Sequence, residues 1–343
     1  MAVGRRRAFI GSYTAAGGPG IVTASIDAGS GALSVLSTVN TVADPAYLAL
    51  SPDARTLYAV SETAEGAVAA FRVTGNGPQP AGRQVPVGGS GPTHLSLVAG
   101  HVLTANYGSG SVSAVPVRPD GGLARTPPGV LRHSGSGPHP QRQQGPHPHQ
   151  VQADPSGRWV VSVDLGTDSV RVCTLAGGVL SPHREVALRP GSGPRHLAFH
   201  PGGSRAYVLN ELSPTLVVCR WDAADGVLRP LAEIPVLPGS PAGDAYPSGV
   251  AVSPDGRFVW TATRGEDVLS VFAVEGEGQA PTPLTTVPCG GRWPRAITES
   301  DGFLYVANER SGDVTWFALD PDTGVPHREG SIPVPAASCV VTG

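Results

Sequence analysis

The chain contains no lysine, so all 24 of its basic residues are arginine, a bias that coding habit explains as readily as functional demand. Charged residues make up only 15% of the sequence, the formal net charge is −3, and no basic run occurs. Phosphate-backbone binding needs clustered positive charge, which excludes nucleic acid as the partner. Gly, Pro or a charge interrupts every apolar segment, so no stretch is long enough to cross a membrane. The four cysteines, Cys173, Cys219, Cys289 and Cys339, stand far apart with no CxxC or Cys/His spacing. A zinc centre of that kind is thereby excluded, and they read as small, reduced core residues. The Arg5-Arg6-Arg7 stretch looks like the start of a twin-arginine export signal. It is followed by Gly11-Ser12-Tyr13-Thr14 and Gly17-Gly18-Pro19-Gly20 instead of an apolar core, so a cytoplasmic protein is expected. No segment of helical period is long enough to matter.

What the chain does have is 46 glycines and 35 prolines, spread evenly, which suits many tight turns between strands. At 343 residues it reaches the size where one hydrophobic core stops growing, unless the fold is a closed array of repeats. A repeat is present. Its unit is an anchoring Pro, an alternating apolar strand, a Ser-Pro-Asp-Gly-Arg type turn, a second apolar strand and a polar pair. Six copies are anchored at Pro45, Pro92, Pro148, Pro194, Pro247 and Pro294, with steps of 47, 56, 46, 53 and 47 residues. That is the size of a four-stranded propeller blade, and seven blades would take about 49 residues each. The seventh copy is split: Arg7–Tyr13 matches the second strand of the unit, and the stretch from Val334 to Val341 matches the first. The sequence therefore predicts an all-β fold, a seven-bladed β-propeller forming a single domain over 1–343. Its ring closes by pairing the N- and C-terminal strands, which removes two free sheet edges.

Aligned copies give two columns that the strand directions bring to one mouth of the ring. Just after the anchoring Pro stand Ala46, Thr93, His149, Arg195, Ser248 and Arg295. At the end of the next strand stand Tyr13, Glu62, Tyr107, Leu165, Glu211, Arg264 and Glu309. Each of these follows one of Ser12, Ser61, Asn106, Asp164, Asn210, Thr263 and Asn308, a polar set better read as capping the turns. The charged members differ from blade to blade and include both signs, which points to an anion site with acid and base groups. We expect His149, Glu211, Arg195 and Arg264 to be catalytic. Substrate contacts are expected from His147, Arg142, Arg295, Glu62, Glu309, Asn106, Tyr107 and His94. The loop Gly135–His149 lengthens one blade and concentrates His139, His147 and His149. Pro148 holds two of these extended, and no carboxylate or Cys stands at ligand spacing within the loop, so neither a metal nor another cofactor is expected.

Seven segments carry a resemblance: GSYT at Gly11, ANYGSGSVS at Ala105, GSGPHPQRQQGPHPHQV at Gly135, DLGTDSVRV at Asp164, GSGPRHLAFHP at Gly191, YVLNEL at Tyr207 and LYVANE at Leu304. Together they resemble the bacterial lactonase-family propellers, which include a 6-phosphogluconolactonase and are similar to fungal carboxy-muconate cycloisomerase. The resemblance implies a metal-free seven-bladed propeller that opens or forms a lactone ring. The His, Arg, Glu and second Arg of the cycloisomerase relatives correspond here to His149, Arg195, Glu211 and Arg264. The expected function is hydrolysis of a small anionic sugar-acid lactone, such as 6-phosphogluconolactone. Arg195 and Arg264 would hold the anion, while His149 and Glu211 would handle the proton and the attacking water. Leu165 and Ser248 are uncharged, Gln144 stands where a Glu is common in the family, and lysine is missing, so carboxylate is favoured over phosphate as the bound group. The competing readings are a ring-closing enzyme using the same site and a ligand-binding or scaffold propeller without turnover. Repeated Gly-His and Trp-Asp punctuation, expected of a WD-type scaffold, is not found. A monomer or weak dimer is expected.

Overall fold

A computed structural model describes residues 6–241, 243–276 and 280–343. Arg5, of the triple-arginine stretch, lies outside them. The described residues form seven antiparallel sheets and a single three-residue 3-10 turn, Thr14–Ala16. Six sheets have four strands. In the second blade a short strand, Val85–Pro86, pairs with Ala67 and Val68 as a fifth.

Within a blade the second strand is the most deeply buried, as Thr56–Ser61, Arg205–Asn210 and Phe258–Arg264 show at every position. Both faces of these strands pack against neighbouring blades, so their near-continuous runs of Val, Leu, Ala and aromatic residues follow from the ring architecture. In four blades an aromatic residue in that strand, or just before it, ties one blade to the next. Tyr58 OH donates to Gly121 O (2.7 Å), Trp159 Nε1 to Ala223 O (2.9 Å), Trp260 Nε1 to Gly324 O (2.8 Å) and Tyr305 OH to Gly31 O (3.1 Å). Each ring is buried with its polar tip satisfied, the condition under which burial of Tyr and Trp is favourable.

The repeated turn explains itself chemically in Ser253-Pro254-Asp255-Gly256-Arg257. Ser253 Oγ donates to Asp255 Oδ1 (2.6 Å), Arg257 N donates to the same oxygen (3.1 Å), and Phe258 N donates to Ser253 Oγ (2.9 Å). Gly256 sits at φ 77°, the left-handed region that glycine enters without strain.

The ring closes as the sequence predicts. Ala337–Thr342 is the innermost strand of the blade completed by Arg7–Ser12, Ile21–Ile26 and Leu33–Val39. Ala8, Phe9 and Ile10 face Thr342, Val341 and Val340, and Arg7 and Gly343 exchange both backbone hydrogen bonds. All four cysteines are buried and unbridged.

Candidate active site

Two backbone devices build one mouth of the channel. In six blades the residue ending the second strand donates its N–H across to the start of the first strand. Tyr13 bonds Ala336 O, Glu62 bonds Asp44 O, Tyr107 bonds Gly91 O, Leu165 bonds His147 O, Glu211 bonds Gly193 O and Glu309 bonds Trp293 O, at 2.7–3.0 Å. These bonds hold the two sequence columns side by side. The second device is a bulge. Pro148 and Gln150 pair with Asp164 and Val163, which leaves His149 unpaired between them, and the same break leaves Arg195 and Arg295 unpaired in their blades. A bulge redirects the extra side chain, and here it turns these three residues into the channel.

Glu211 is the centre of the charged group. Its Oε2 lies 3.1 Å from Arg195 Nε and 2.9 Å from Arg264 Nη2, and its Oε1 lies 2.5 Å from Arg142 Nη2. Burial pushes this carboxyl up, yet Arg264, Arg195 and Arg142 together outweigh burial and hold it down at about 2. Arg264 Nε also donates to Tyr246 O (3.1 Å), and Arg195 Nη1 donates to Ser248 O, which fixes both guanidiniums. Burial, followed by the charge of Arg264, lowers Arg195 to about 9, so it stays protonated at neutral pH.

Arg142 arrives on the long loop, which Gln143 anchors: its Nε2 donates to Leu165 O (2.8 Å) and its Oε1 accepts from His139 N (3.0 Å). Arg142 Nη2 also reaches Tyr107 OH at 3.3 Å, and the Tyr107 ring stacks on His147 at 4.4 Å. His147 Nδ1 is 2.8 Å from Tyr107 O, so that nitrogen carries its proton.

His149 is buried and lies edge-on to Tyr107 at 5.6 Å and to His196 at 5.2 Å. Burial first, then the charge of Arg195, pushes its pKa well below the ordinary value, so the ring is neutral. Its Nδ1 has no hydrogen-bond partner. On the far wall Arg295 Nη1 meets Glu309 Oε2 at 3.2 Å and its guanidinium lies 4.9 Å over the Tyr13 ring. Tyr13 OH donates to Glu62 Oε2 (2.8 Å), and burial raises the Glu62 carboxyl.

Eleven of the twelve expected residues therefore line the channel, but not at one depth. His94 lies below the charged group, 5.7 Å from His196 and 4.2 Å from Tyr47. Tyr47 and His94 also border a cavity of about 590 Å³ that extends to Ser51, Pro52 and Gly343 at the opposite end. Asn106 does not join the site. Its Nδ2 donates to Ser111 Oγ (3.1 Å) and Ser113 Oγ (2.8 Å), and its Oδ1 accepts from Thr104 (2.9 Å), all within its own blade. Asn210 and Asn308 bond Thr215 and Thr315 in the same way, so this column caps hairpins.

Three channel residues were not singled out from the sequence: His196, Tyr47 and Tyr13 in its role as partner to Glu62. His196 is buried next to Arg195, and burial with the Arg195 charge keeps its ring neutral. The signal for it was the Pro-Arg-His triplet, once the bulge is known.

The model of the family described as lactonase, 7-bladed beta-propeller, matches residues 7–342. The 6-phosphogluconolactonase of Bacillus subtilis is 34% identical over 339 residues, 97% of each chain. That of Formosa agariphila is 31% identical, covering 92% of this chain and 93% of its own. The solved structure of a periplasmic gluconolactonase from Pseudomonas aeruginosa superposes with a TM-score of 0.92 at 31% identity, over 98% of each chain. With its seven blades and end-to-end match, this chain belongs to the lactonase family of seven-bladed β-propellers.

Proposed function

We propose that this protein hydrolyses a small anionic sugar-acid lactone, 6-phosphogluconolactone or a close analogue, at the charged mouth. The observation that carries the reading is the set of guanidiniums of Arg142, Arg195 and Arg264 gathered on Glu211 near the unpartnered Nδ1 of neutral His149. A lactone carbonyl among these groups would find oriented N–H donors for the negative charge that develops on its oxygen.

In this mechanism His149 takes a proton from water as the water oxygen bonds to the carbonyl carbon. Collapse of the tetrahedral adduct breaks the ring C–O bond, and the proton passes to the departing ring oxygen. The open hydroxy acid then ionises and releases one proton to solvent. An arriving anion offsets the arginine charges that lower His149, raising its basicity where it is needed. Glu211, at about 2, is a weak base at neutral pH. The water-activating part therefore falls to His149, and Glu211 holds Arg195 and Arg264 in place.

Arg142, Tyr107 and His147 form the entrance on one side, and Glu62, Arg295 and Glu309 form the facing wall. Proton transfer by an imidazole and charge stabilisation by arginine require no metal or other cofactor. The names of the Bacillus and Formosa relatives support a phosphorylated sugar lactone as substrate.

We take the whole chain as one domain, since its closing blade draws on both ends. The large exposed apolar side chains are few: Val35 and Leu36 adjoin on one outer strand, and Val130, Val179, Leu231 and Leu284 lie on four others, too small a surface for an obligate interface, which supports a monomer or weak dimer. No helix among the described residues is long and apolar enough to cross a membrane. We assign the protein to the cytoplasm on the unbridged cysteines, although the Pseudomonas relative is named periplasmic. The test is hydrolysis of 6-phosphogluconolactone followed by proton release. A rate above the spontaneous one supports the reading, and its absence contradicts it.

A further inference from the structure

The residue before the first strand lies in the left-handed region in five blades: Asp44 at φ 46°, Gly91 at 58°, Gly193 at 57°, Trp293 at 65° and Ala336 at 52°. Glycine enters this region freely, and a bulky aromatic there is an outlier. Two blades solve the local problem identically except for that residue. Asp168 Oδ1 accepts from Gly193 N at 2.7 Å, and Asp267 Oδ1 accepts from Trp293 N at 2.7 Å. The fold therefore has a strain-free solution in one blade and replaces it with tryptophan in another. Backbone strain held this way gathers at ligand sites.

The indole stands beside the charged mouth. Arg264, bound to Glu211, lies 5.6 Å from its centroid, the Tyr246 ring meets it at 6.2 Å, and the Arg310 guanidinium rests 3.2 Å over it. Arg310 is exposed, follows Glu309 directly, and forms no ion pair among the described residues. Both guanidinium carbons are referenced to one ring, so they lie within about 9 Å of each other. A five- or six-carbon sugar acid spans that distance.

We propose that Trp293 and Arg310 are specificity-determining residues that bind the distal anionic group of the substrate. The indole is a platform that holds the exposed Arg310 guanidinium at the rim, within about 9 Å of Arg264. A substrate with its carbonyl end near Arg264 and Glu211 places a terminal phosphate or second carboxylate on Arg310, by charge-assisted hydrogen bonds. This deepens the lactonase reading and rests on it for the identity of the carbonyl end.

The experiment is calorimetric titration of 6-phosphogluconate and gluconate into wild type, Arg310→Gln, Trp293→Gly and Trp293→Phe, with hydrolysis of the corresponding lactones measured in parallel. Glycine suits the φ of position 293, so that variant keeps the backbone. Wild type should bind the phosphorylated acid at least tenfold more tightly than gluconate. Arg310→Gln should remove that preference while leaving gluconate binding within twofold, Trp293→Gly should also remove it, and Trp293→Phe should keep most of it. An unchanged preference in Arg310→Gln, or no preference in wild type, overturns the proposal. Preference intact without hydrolysis upholds it and overturns the lactonase reading instead. Hydrolysis without preference does the reverse.

Discussion

Arg195 and His196 are adjacent in the chain, yet their side chains meet, with Arg195 Nη1 3.4 Å from His196 Nε2. In a regular strand they would point to opposite faces. Pro194 pairs with Asn210 and His196 with Leu209, so Arg195 is the unpaired residue of a bulge and both side chains enter the channel. His196 thereby touches Arg195 on one side and the ring of His149 on the other, which makes it a positioning residue.

His196→Phe should keep the packing and lose the polar contact. We expect kcat to fall about tenfold, equivalent to about 1.4 kcal/mol of barrier, with KM nearly unchanged. His196→Gln, which restores a polar group near Arg195, should recover part of the loss. Steady-state kinetics on folded variants decide this, and a fully active Phe variant contradicts the assigned role.

Glu211 is buried among three guanidiniums, so Glu211→Gln leaves them facing one another without their shared counter-charge. Breaking a buried ionic group in this way should destabilise the fold by about 3 kcal/mol. Added phosphate should restore part of the melting temperature by replacing the lost charge, more in the variant than in wild type. A thermal scan in low-salt buffer with and without phosphate tests this; an unchanged melting temperature in the variant counts against it.

Three buried imidazoles make stability depend on pH. Burial, with the Arg195 charge second, lowers His149 and His196 well below the ordinary value and His94 to about 3. The unfolded chain takes up these protons near pH 6.5, whereas the folded rings stay neutral. Stability present above about pH 6.5 is therefore lost progressively as pH falls below it. Glu211 adds a separate loss at lower pH, as its carboxyl titrates between the unfolded value and about 2. The melting temperature should drop from pH 7.5 to pH 5, and His94→Gln should reduce the slope by about one proton. A flat profile over that range contradicts the burial of neutral rings.

The ring was legible because six copies repeat a Pro anchor, most of them with a variant of the Ser-Pro-Asp-Gly turn, and because the two ends each supply part of one unit. The charged columns were legible for the same reason, since equivalent positions in a ring converge. The bulge was not, because it is a property of register between strands and leaves no mark in either strand alone. It conceals that His196 shares the channel with Arg195, its neighbour in the chain. Asn106 looked like a mouth residue by its place beside Tyr107, but strand alternation turns its amide into the hairpin. The weak basicity of Glu211 was also hidden, because burial opposes it and it depends on how closely Arg264 and Arg195 approach, with Arg142 added from a loop 69 positions away in the chain.

The most direct measurement is hydrolysis of 6-phosphogluconolactone above the spontaneous rate by wild type and His149→Ala, side by side, with folding verified by melting. The account predicts a clear rate in wild type and a loss of at least a hundredfold in the folded variant, the range of general-base catalysis. A folded His149→Ala that keeps the wild-type rate would contradict it.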